Sequence, residues 1–255
     1  MIDSHCHLDR CPEEPATLVE GAREAGLTRM LTVGLDEVGN QRQIDMAAEF
    51  PEVFACVGRH PNDADGFDEQ AAEAIAGLAR EPGVVAIGET GLDFYRDTAE
   101  PENQRVAFAA QIAIAREAGL PLVLHLRDPE GEEAAISEAF ATLDREGHGL
   151  TVVLHCFSAP GWVDRAVERN WICSFAGNVT YPANAALREA AAAVPDDLLL
   201  VETDAPYLTP QPMRRERNRP AFVVETAKVV AEVRGTDPET LDRLVTANAE
   251  RVFGW

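Results

Sequence analysis

The chain has 255 residues, a length that fits one α/β barrel or two smaller domains. Hydrophobic residues make up 46% and charged residues 26%, an ordinary globular balance, and no stretch approaches the roughly 20 apolar residues of a membrane span. The formal net charge of −22, with one lysine against twenty-one arginines, excludes a general nucleic-acid-coating surface but leaves room for local binding through metal ions and a few arginines.

In chain order, short apolar or β-branched runs alternate with Ala/Glu/Arg-rich segments, the pattern of βα units around a parallel sheet. Strands are expected at Met1 to His5, Arg29 to Gly34, Val53 to Gly58, Val84 to Gly88, Leu122 to His125, Val152 to His155, Ile172 to Ala176 and Leu198 to Glu202. Helices are expected at Pro15 to Ala25, Glu37 to Phe50, Asp68 to Arg80, Pro101 to Ala118, Glu130 to Glu146, Pro160 to Arg169 and Asn184 to Ala193. Phe222 to Arg234 and Pro238 to Arg251 read as two closing helices. In the fourth helix Val106, Ala109, Ala110, Ala113 and Ile114 recur at three and four, as an amphipathic face requires. No linker, repeat array or low-complexity tract divides residues 1–255, so one barrel domain is expected. An open doubly wound sheet shares this alternation, and the polar residues separate the two. A barrel gathers all eight strand ends at one mouth, whereas an open sheet spreads them along an edge.

His5 and His7 close the first strand, and a spacing of two puts both imidazoles on one face of an extended chain. Glu89, His125, His155 and Asp204 follow the apolar runs of strands four, five, six and eight. Any one of these is an ordinary polar residue; together, at the same end of one architecture, they read as metal ligands. Five of the six histidines, His5, His7, His60, His125 and His155, fall at strand ends, and His148 alone is expected on the surface. Such a set suits Zn²⁺, Mn²⁺ or Fe²⁺ and can hold two divalent ions if Glu89 bridges them, with Mg²⁺ or Mn²⁺ able to support turnover. A carboxylated lysine cannot be the bridge, because Lys228 lies in a closing helix. Asp204 is then both a ligand and the group that takes a proton from the attacking water.

Other residues keep two readings open. Glu202 either supports the site or forms a salt bridge inside the barrel, and His60 either grips a phosphate or stabilises its turn. Arg127 and Asp128 are a substrate clamp or an ion pair. Arg214, Arg215, Arg217 and Arg219, in the loop after strand eight, suit an anionic substrate such as a phosphodiester, or pair internally through Glu216. The start MIDSHCHLD has neither the basic nor the apolar region of a secretory signal, which points to the cytoplasm. Cys6, Cys11, Cys56, Cys156 and Cys173, an odd number without CxxC spacing, are expected as free thiols.

The segments IDSHCHLD, GETGLDF, HLRD, HCFS, ETDAPYL and RNRPAFV, in this order and over nearly the whole chain, resemble the TatD family of metal-dependent hydrolases. That resemblance implies a (β/α)₈ barrel with two divalent ions, removing nucleotides 3′ to 5′ from DNA and sometimes RNA. By position it implies His5, His7, Glu89 and Asp204 as ligands of one ion and Glu89, His125 and His155 as those of the other. It places His60, Arg217 and Asn218 near the substrate. The chain departs from the family pattern at Ala159 and Pro160 after HCFS and at Pro129 after HLRD, both in mouth loops, where substrate preference is set. Hydrolysis of another ester or amide, such as a D-aminoacyl-tRNA or a small cyclic substrate, uses the same chemistry. A metal-binding scaffold without catalysis is the reading that the intact Asp204 disfavours.

Overall fold

The computed structural model describes residues 1–96 and 98–255. Among them eight strands form one sheet in the order of the chain: β1 (Ile2–Cys6), β2 (Arg29–Val33), β3 (Val53–Val57), β4 (Val84–Asp93), β5 (Leu122–Arg127), β6 (Val152–Leu154), β7 (Ile172–Phe175) and β8 (Leu199–Val201). Helices α1 (Pro15–Glu24), α2 (Glu37–Glu49), α3 (Glu69–Leu78), α4 (Pro101–Ala118), α5 (Ala134–Glu146), α6 (Val163–Glu168) and α7 (Ala185–Ala193) alternate with them, and α8 (Val223–Val233) and α9 (Pro238–Phe253) close the chain. This is the (β/α)₈ barrel expected from the alternation. No helix among the described residues is long and apolar enough to cross a membrane.

The chain divides into two compact units. The first, Met1–Thr32, Phe50–Phe54 and His155–Trp255, carries β1, most of β2, β7, β8, α1 and α6 to α9. Within it β7 and β8 pair in parallel, Cys173 with Leu199 through Phe175 with Val201. The ends of β1 and β8 are joined where the Asp204 N–H donates to the His5 carbonyl (2.9 Å) and the His7 N–H to the Ala205 carbonyl (2.8 Å). Leu241, Val245, Ala249 and Val252 of α9 are buried at the helical spacing, which gives that helix a continuous apolar stripe.

The second unit, Val33–Glu49 and Ala55–Leu154, carries α2 to α5, β4 to β6 and the end of β3. Its longest strand, β4, runs ten residues to Asp93, past the end expected at Gly88. Gly88 and Gly91, which look like terminators, lie inside the strand at φ of +143° and +135°. A side chain at Gly88 would collide with the Val123 carbonyl, and one at Gly91 with that of His125. The two glycines therefore let β4 continue against β5, which it pairs in parallel from Ile87 with Leu122 to Asp93 with Arg127, with a register shift between Ile87 and Thr90.

The buried face of α4 also differs from expectation. Gln104, Ala107, Phe108, Gln111, Ile112 and Ala115 face inward; of the expected face Ile114 is buried, Val106 is exposed, and Ala109, Ala110 and Ala113 are only partly buried. The helix is turned because its two glutamines satisfy backbone groups of the sheet side. Gln104 Oε1 accepts the Asp93 N–H (2.8 Å) and its Nε2 donates to the Asp93 carbonyl (3.1 Å). Gln111 Nε2 donates to Thr90 Oγ1 (2.7 Å) while its Oε1 accepts the Arg59 N–H (2.8 Å). The start of α5 shifts from Glu130 to Ala134 for a similar reason, since the Asp128 carboxylate accepts the N–H groups of Ala135 (2.7 Å) and Ile136 (3.1 Å).

Candidate active site

In the first unit three imidazoles and two carboxylates meet at strand ends. His5 lies in β1 and His7 one residue past it, with their Nε2 atoms 3.3 Å apart. The His5 ring stacks on that of His155, which follows β6 directly, at a centroid separation of 3.6 Å. His7 Nε2 lies 3.5 Å from Asp204 Oδ1. All five groups, counting Glu202, are buried or nearly so.

The donor set fits a divalent ion. Ligand nitrogens at ~2.0–2.1 Å from a tetrahedral Zn²⁺ stand about 3.4 Å from one another, close to the separation of the His5 and His7 nitrogens. His5, His155 and Glu202 offer ligand atoms all within 4.8 Å of one another, and so do His155, Cys156 and Asp204. Of the two readings of Glu202, the geometry favours support of the site: its Oε1 lies 2.7 Å from His155 Nδ1 and accepts the Cys156 N–H at 2.8 Å. A carboxylate beside Nδ1 favours the proton there and leaves the Nε2 lone pair for a ligand.

Asp204 and Cys156, each just beyond a strand, have left-handed backbones at φ of +55° and +45°, and Leu208 follows at +51°. Such conformations cost ~1–3 kcal/mol each and persist where neighbouring groups over-determine them. Asn218 is one such group: its amide donates to the carbonyls of Thr203 (2.8 Å) and Tyr207, the residues immediately before Asp204 and Leu208. Asp3 holds the other side, accepting the Thr203 N–H (2.9 Å), the Thr203 hydroxyl and the His5 N–H (3.3 Å). Burial pushes the Asp3 carboxyl up to about 8 against these hydrogen bonds, and Glu202 adds to the rise. Burial would also raise Asp204, but the hydrogen bond from His7 and the imidazoles of His155, His7 and His5 hold it below its ordinary value, ionised and able to accept a proton.

Within the second unit His60, Glu89 and His125 form a group of their own, whose ligand atoms lie within 4.8 Å of one another. His125 Nδ1 lies 2.7 Å from Glu89 Oε1, and its Nε2 lies 3.1 Å from Asp93 Oδ2. If the proton on Nε2 faces Asp93, the lone pair of Nδ1 faces the Glu89 carboxylate. Two acceptors that close require a shared proton or metal ion between them, so this donor set fits a cation as well. Asp93 is fully buried. Burial alone would raise its carboxyl, yet His125, the Arg96 N–H and the Asn62 amide bring it down to about 2.

His60 combines its two readings. Its Nδ1 accepts the Asn62 N–H (3.0 Å) and caps a short 3₁₀ turn, Pro61–Asp63, which leaves the proton on Nε2, 3.4 Å from Glu89 Oε1. Burial lowers its affinity for a second proton, more than Glu89 restores it.

Among the described residues no ion pair is found between Arg127 and Asp128. Asp128 serves α5, and the Arg127 guanidinium lies 4.0 Å over the exposed Tyr95 ring. In the loop after β8, Arg219 pairs with Glu216 (2.9 Å) and Arg214 donates to the Tyr181 hydroxyl (2.7 Å) above that ring. Arg215 and Arg217 are exposed, with no ion pair found for either among the described residues. Internal pairing through Glu216 thus accounts for one arginine of four. Asn218, placed near the substrate by resemblance, is fully buried, and its amide donates to the carbonyls of Thr203 and Tyr207 in the Asp204 loop. His148 is exposed, and the five cysteines are free thiols.

Sequence reading missed Asp3, Asp93, Thr203, Gln104 and Gln111. Asp3 and Asp93 lie within the segments IDSHCHLD and GLDF, two positions from His5 and at the end of an apolar run, which is the signal that could have found them.

A family profile described as TatD related DNase matches residues 2–254. A metal-dependent hydrolase TatD from Mycobacterium tuberculosis is 39% identical over 265 residues, covering 100% of this chain and 98% of that protein. A 3′-5′ ssDNA/RNA exonuclease TatD from Dickeya dadantii is 37% identical over 243 residues, covering 92% of this chain and 90% of the relative. The crystal structure of a TatD homologue from Escherichia coli superposes with a TM-score of 0.92 at 26% identity, covering 100% of this chain and 98% of that one.

Proposed function

Because this chain belongs to the TatD family of metal-dependent hydrolases, we propose that it is a nuclease that uses two divalent ions to remove nucleotides from the 3′ end of single-stranded DNA, and of RNA by the same chemistry. The proposed ligands are His5, His7, Glu89 and Asp204 for one ion and Glu89, His125 and His155 for the other, with Zn²⁺, Mn²⁺ or Mg²⁺ as the metal. The observation that carries the reading is the convergence of His5, His7, His155 and Asp204 at ligand-like separations. The relative from Dickeya dadantii, named as a 3′-5′ ssDNA/RNA exonuclease, supports the substrate and the polarity.

Bound divalent ions supply an acidified water and positive charge for the phosphoryl oxygens. The Asp204 carboxylate, kept ionised by its imidazole neighbours, accepts the proton that the attacking water loses. His60 offers its Nε2 proton as a hydrogen bond to a phosphate oxygen. Arg217, exposed beside the Asp204 loop, and Arg127 on the Tyr95 ring bring guanidinium groups to the backbone. The exposed face of Tyr95 gives a base a surface to stack on.

The test is nucleotide release from 3′-labelled single-stranded DNA by metal-stripped protein, with Mg²⁺, Mn²⁺ or Zn²⁺ restored, beside Asp204→Asn and Glu89→Ala. Release that needs metal and is abolished by both substitutions is expected. About two equivalents of bound metal without nucleotide release would overturn the phosphodiester assignment and direct the search to ester and amide substrates.

A further inference from the structure

The carboxylate of Asp93 lies outside the proposed ligand set, yet it meets His125 directly and is linked through Asn62 to His60, the two histidines that face Glu89. It ends β4 with its backbone bracketed by Gln104 on both sides. Its Oδ1 accepts the N–H groups of Tyr95 (3.0 Å) and Arg96 (2.9 Å) from the loop that follows. Its Oδ2 faces Asn62 Nδ2 (3.0 Å) and His125 Nε2 (3.1 Å). We infer that Asp93 is a positioning residue that aims His125 and His60 at Glu89. The inference rests on the metal-centre part of the reading above and is independent of its substrate.

An ionised carboxylate only accepts hydrogen bonds, so Asp93 Oδ2 keeps the His125 proton on Nε2 and leaves Nδ1 to Glu89 and its metal. The same oxygen holds the Asn62 amide, and the Asn62 backbone N–H caps His60 Nδ1 and keeps that proton on Nε2. One atom thereby sets two rings with opposite nitrogens toward one carboxylate: His125 through Nδ1 and His60 through Nε2.

Asp93→Asn preserves the shape and inverts the chemistry. Its single oxygen stays with the Tyr95 and Arg96 N–H groups, which puts its NH₂ opposite His125 Nε2 and the Asn62 amide. His125 can meet that donor only by moving its proton to Nδ1, which withdraws the lone pair from the metal. Competition against a chromophoric chelator for Zn²⁺ and Mn²⁺ should show one metal equivalent weakened about 10- to 100-fold. Histidine ¹⁵N spectra of the metal-free protein should show the His125 proton on Nε2 in the wild type and on Nδ1 in the variant. Asn62→Ala, which leaves the His125 contact intact, should keep that tautomer and weaken metal binding by less than a tenth of the Asp93→Asn effect.

Metal affinity within twofold of the wild type in Asp93→Asn overturns the inference. So does a weakened affinity with an unchanged His125 tautomer and an equally lowered metal-free melting temperature, which marks a purely structural role. A wild-type chain that takes up no metal overturns both this inference and the metal centre. One that takes up metal but releases no nucleotide removes only the substrate assignment, and the chelator and tautomer results still decide the role of Asp93.

Discussion

Asp93 at the end of β4 and Asp237 at the start of α9 are both held below the ordinary carboxylate range, by unlike means. Asp93 is buried, and only an imidazole and several N–H donors overcome the penalty of that burial. Asp237 is exposed, and it is lowered by the hydroxyl and the N–H of Thr240 in an ordinary helix cap. At the strand ends each charge is tied to a partner it cannot lose without leaving an uncompensated buried group. On the helices, pairs such as Arg243 with Glu239 and Lys228 with Glu225 stand in solvent three or four residues apart, where an ion pair is worth ~0–1 kcal/mol. The acidic excess of this chain can therefore vary on its helices at little cost, whereas the carboxylates at the strand ends cannot.

The same kind of substitution should separate the two regions. Asp204→Asn removes the proton acceptor and should lower kcat by ~10²–10⁴, as measured by nucleotide release. Glu202→Gln comes next. It takes the charge from beside His155 Nδ1 and weakens the preference for the tautomer that leaves Nε2 for metal, so metal affinity should fall about 10- to 100-fold in chelator competition. Unchanged affinity would reassign Glu202 to holding the Cys156 N–H alone.

The sequence shows this division unevenly. All eight strands are legible, and the proposed metal ligands stand out because each lies within three residues of the end of an expected strand, where five of six histidines gather. Asp3 and Asp93 are not legible as anchors, since a carboxylate beside a glycine or a histidine looks the same whether it binds metal, orients a ligand or caps a turn. Gln104 and Gln111 are hidden for another reason: the apolar periodicity of α4 points to the Val106 side, and only the backbone groups of Asp93 and Arg59 explain why two polar residues turn inward. The length of β4 is misread because Gly88 and Gly91 resemble stop signals. Their purpose, closeness to β5, is a property of the neighbouring strand.

Asn218 tests whether a residue two steps from the chemistry behaves as part of the strand-end region. Asn218→Ala leaves the Thr203 and Tyr207 carbonyls without their donor in a buried place, at a cost of ~1–3 kcal/mol per group. The left-handed backbone of Asp204 then loses one of its restraints. A lowered urea midpoint and a roughly tenfold lower kcat per folded molecule are expected. A lowered midpoint with kcat intact would show that Asp3 alone holds Asp204 in place.

The smallest effect is expected at Asp237, where the comparison is sharpest because the group is a paired carboxylate without burial. Its Oδ1 accepts the Thr240 N–H at 2.9 Å, one of the helix-start donors that have no partner within α9. Asp237→Ala should lower the melting temperature slightly, and Asp237→Ser should restore most of it, because a serine oxygen can accept the same N–H. The folded state binds a proton at Asp237 less readily than the unfolded chain, whose ordinary value is 3.8. The carboxylate's contribution is therefore present above that pH and fades as the pH falls through the lowered value. The gap between wild type and Asp237→Ala should be constant near neutrality and narrow in acid, while metal binding stays the same in both. A gap that widens in acid, or a change in metal affinity, would mean that α9 is coupled to the strand ends more closely than a solvated cap allows.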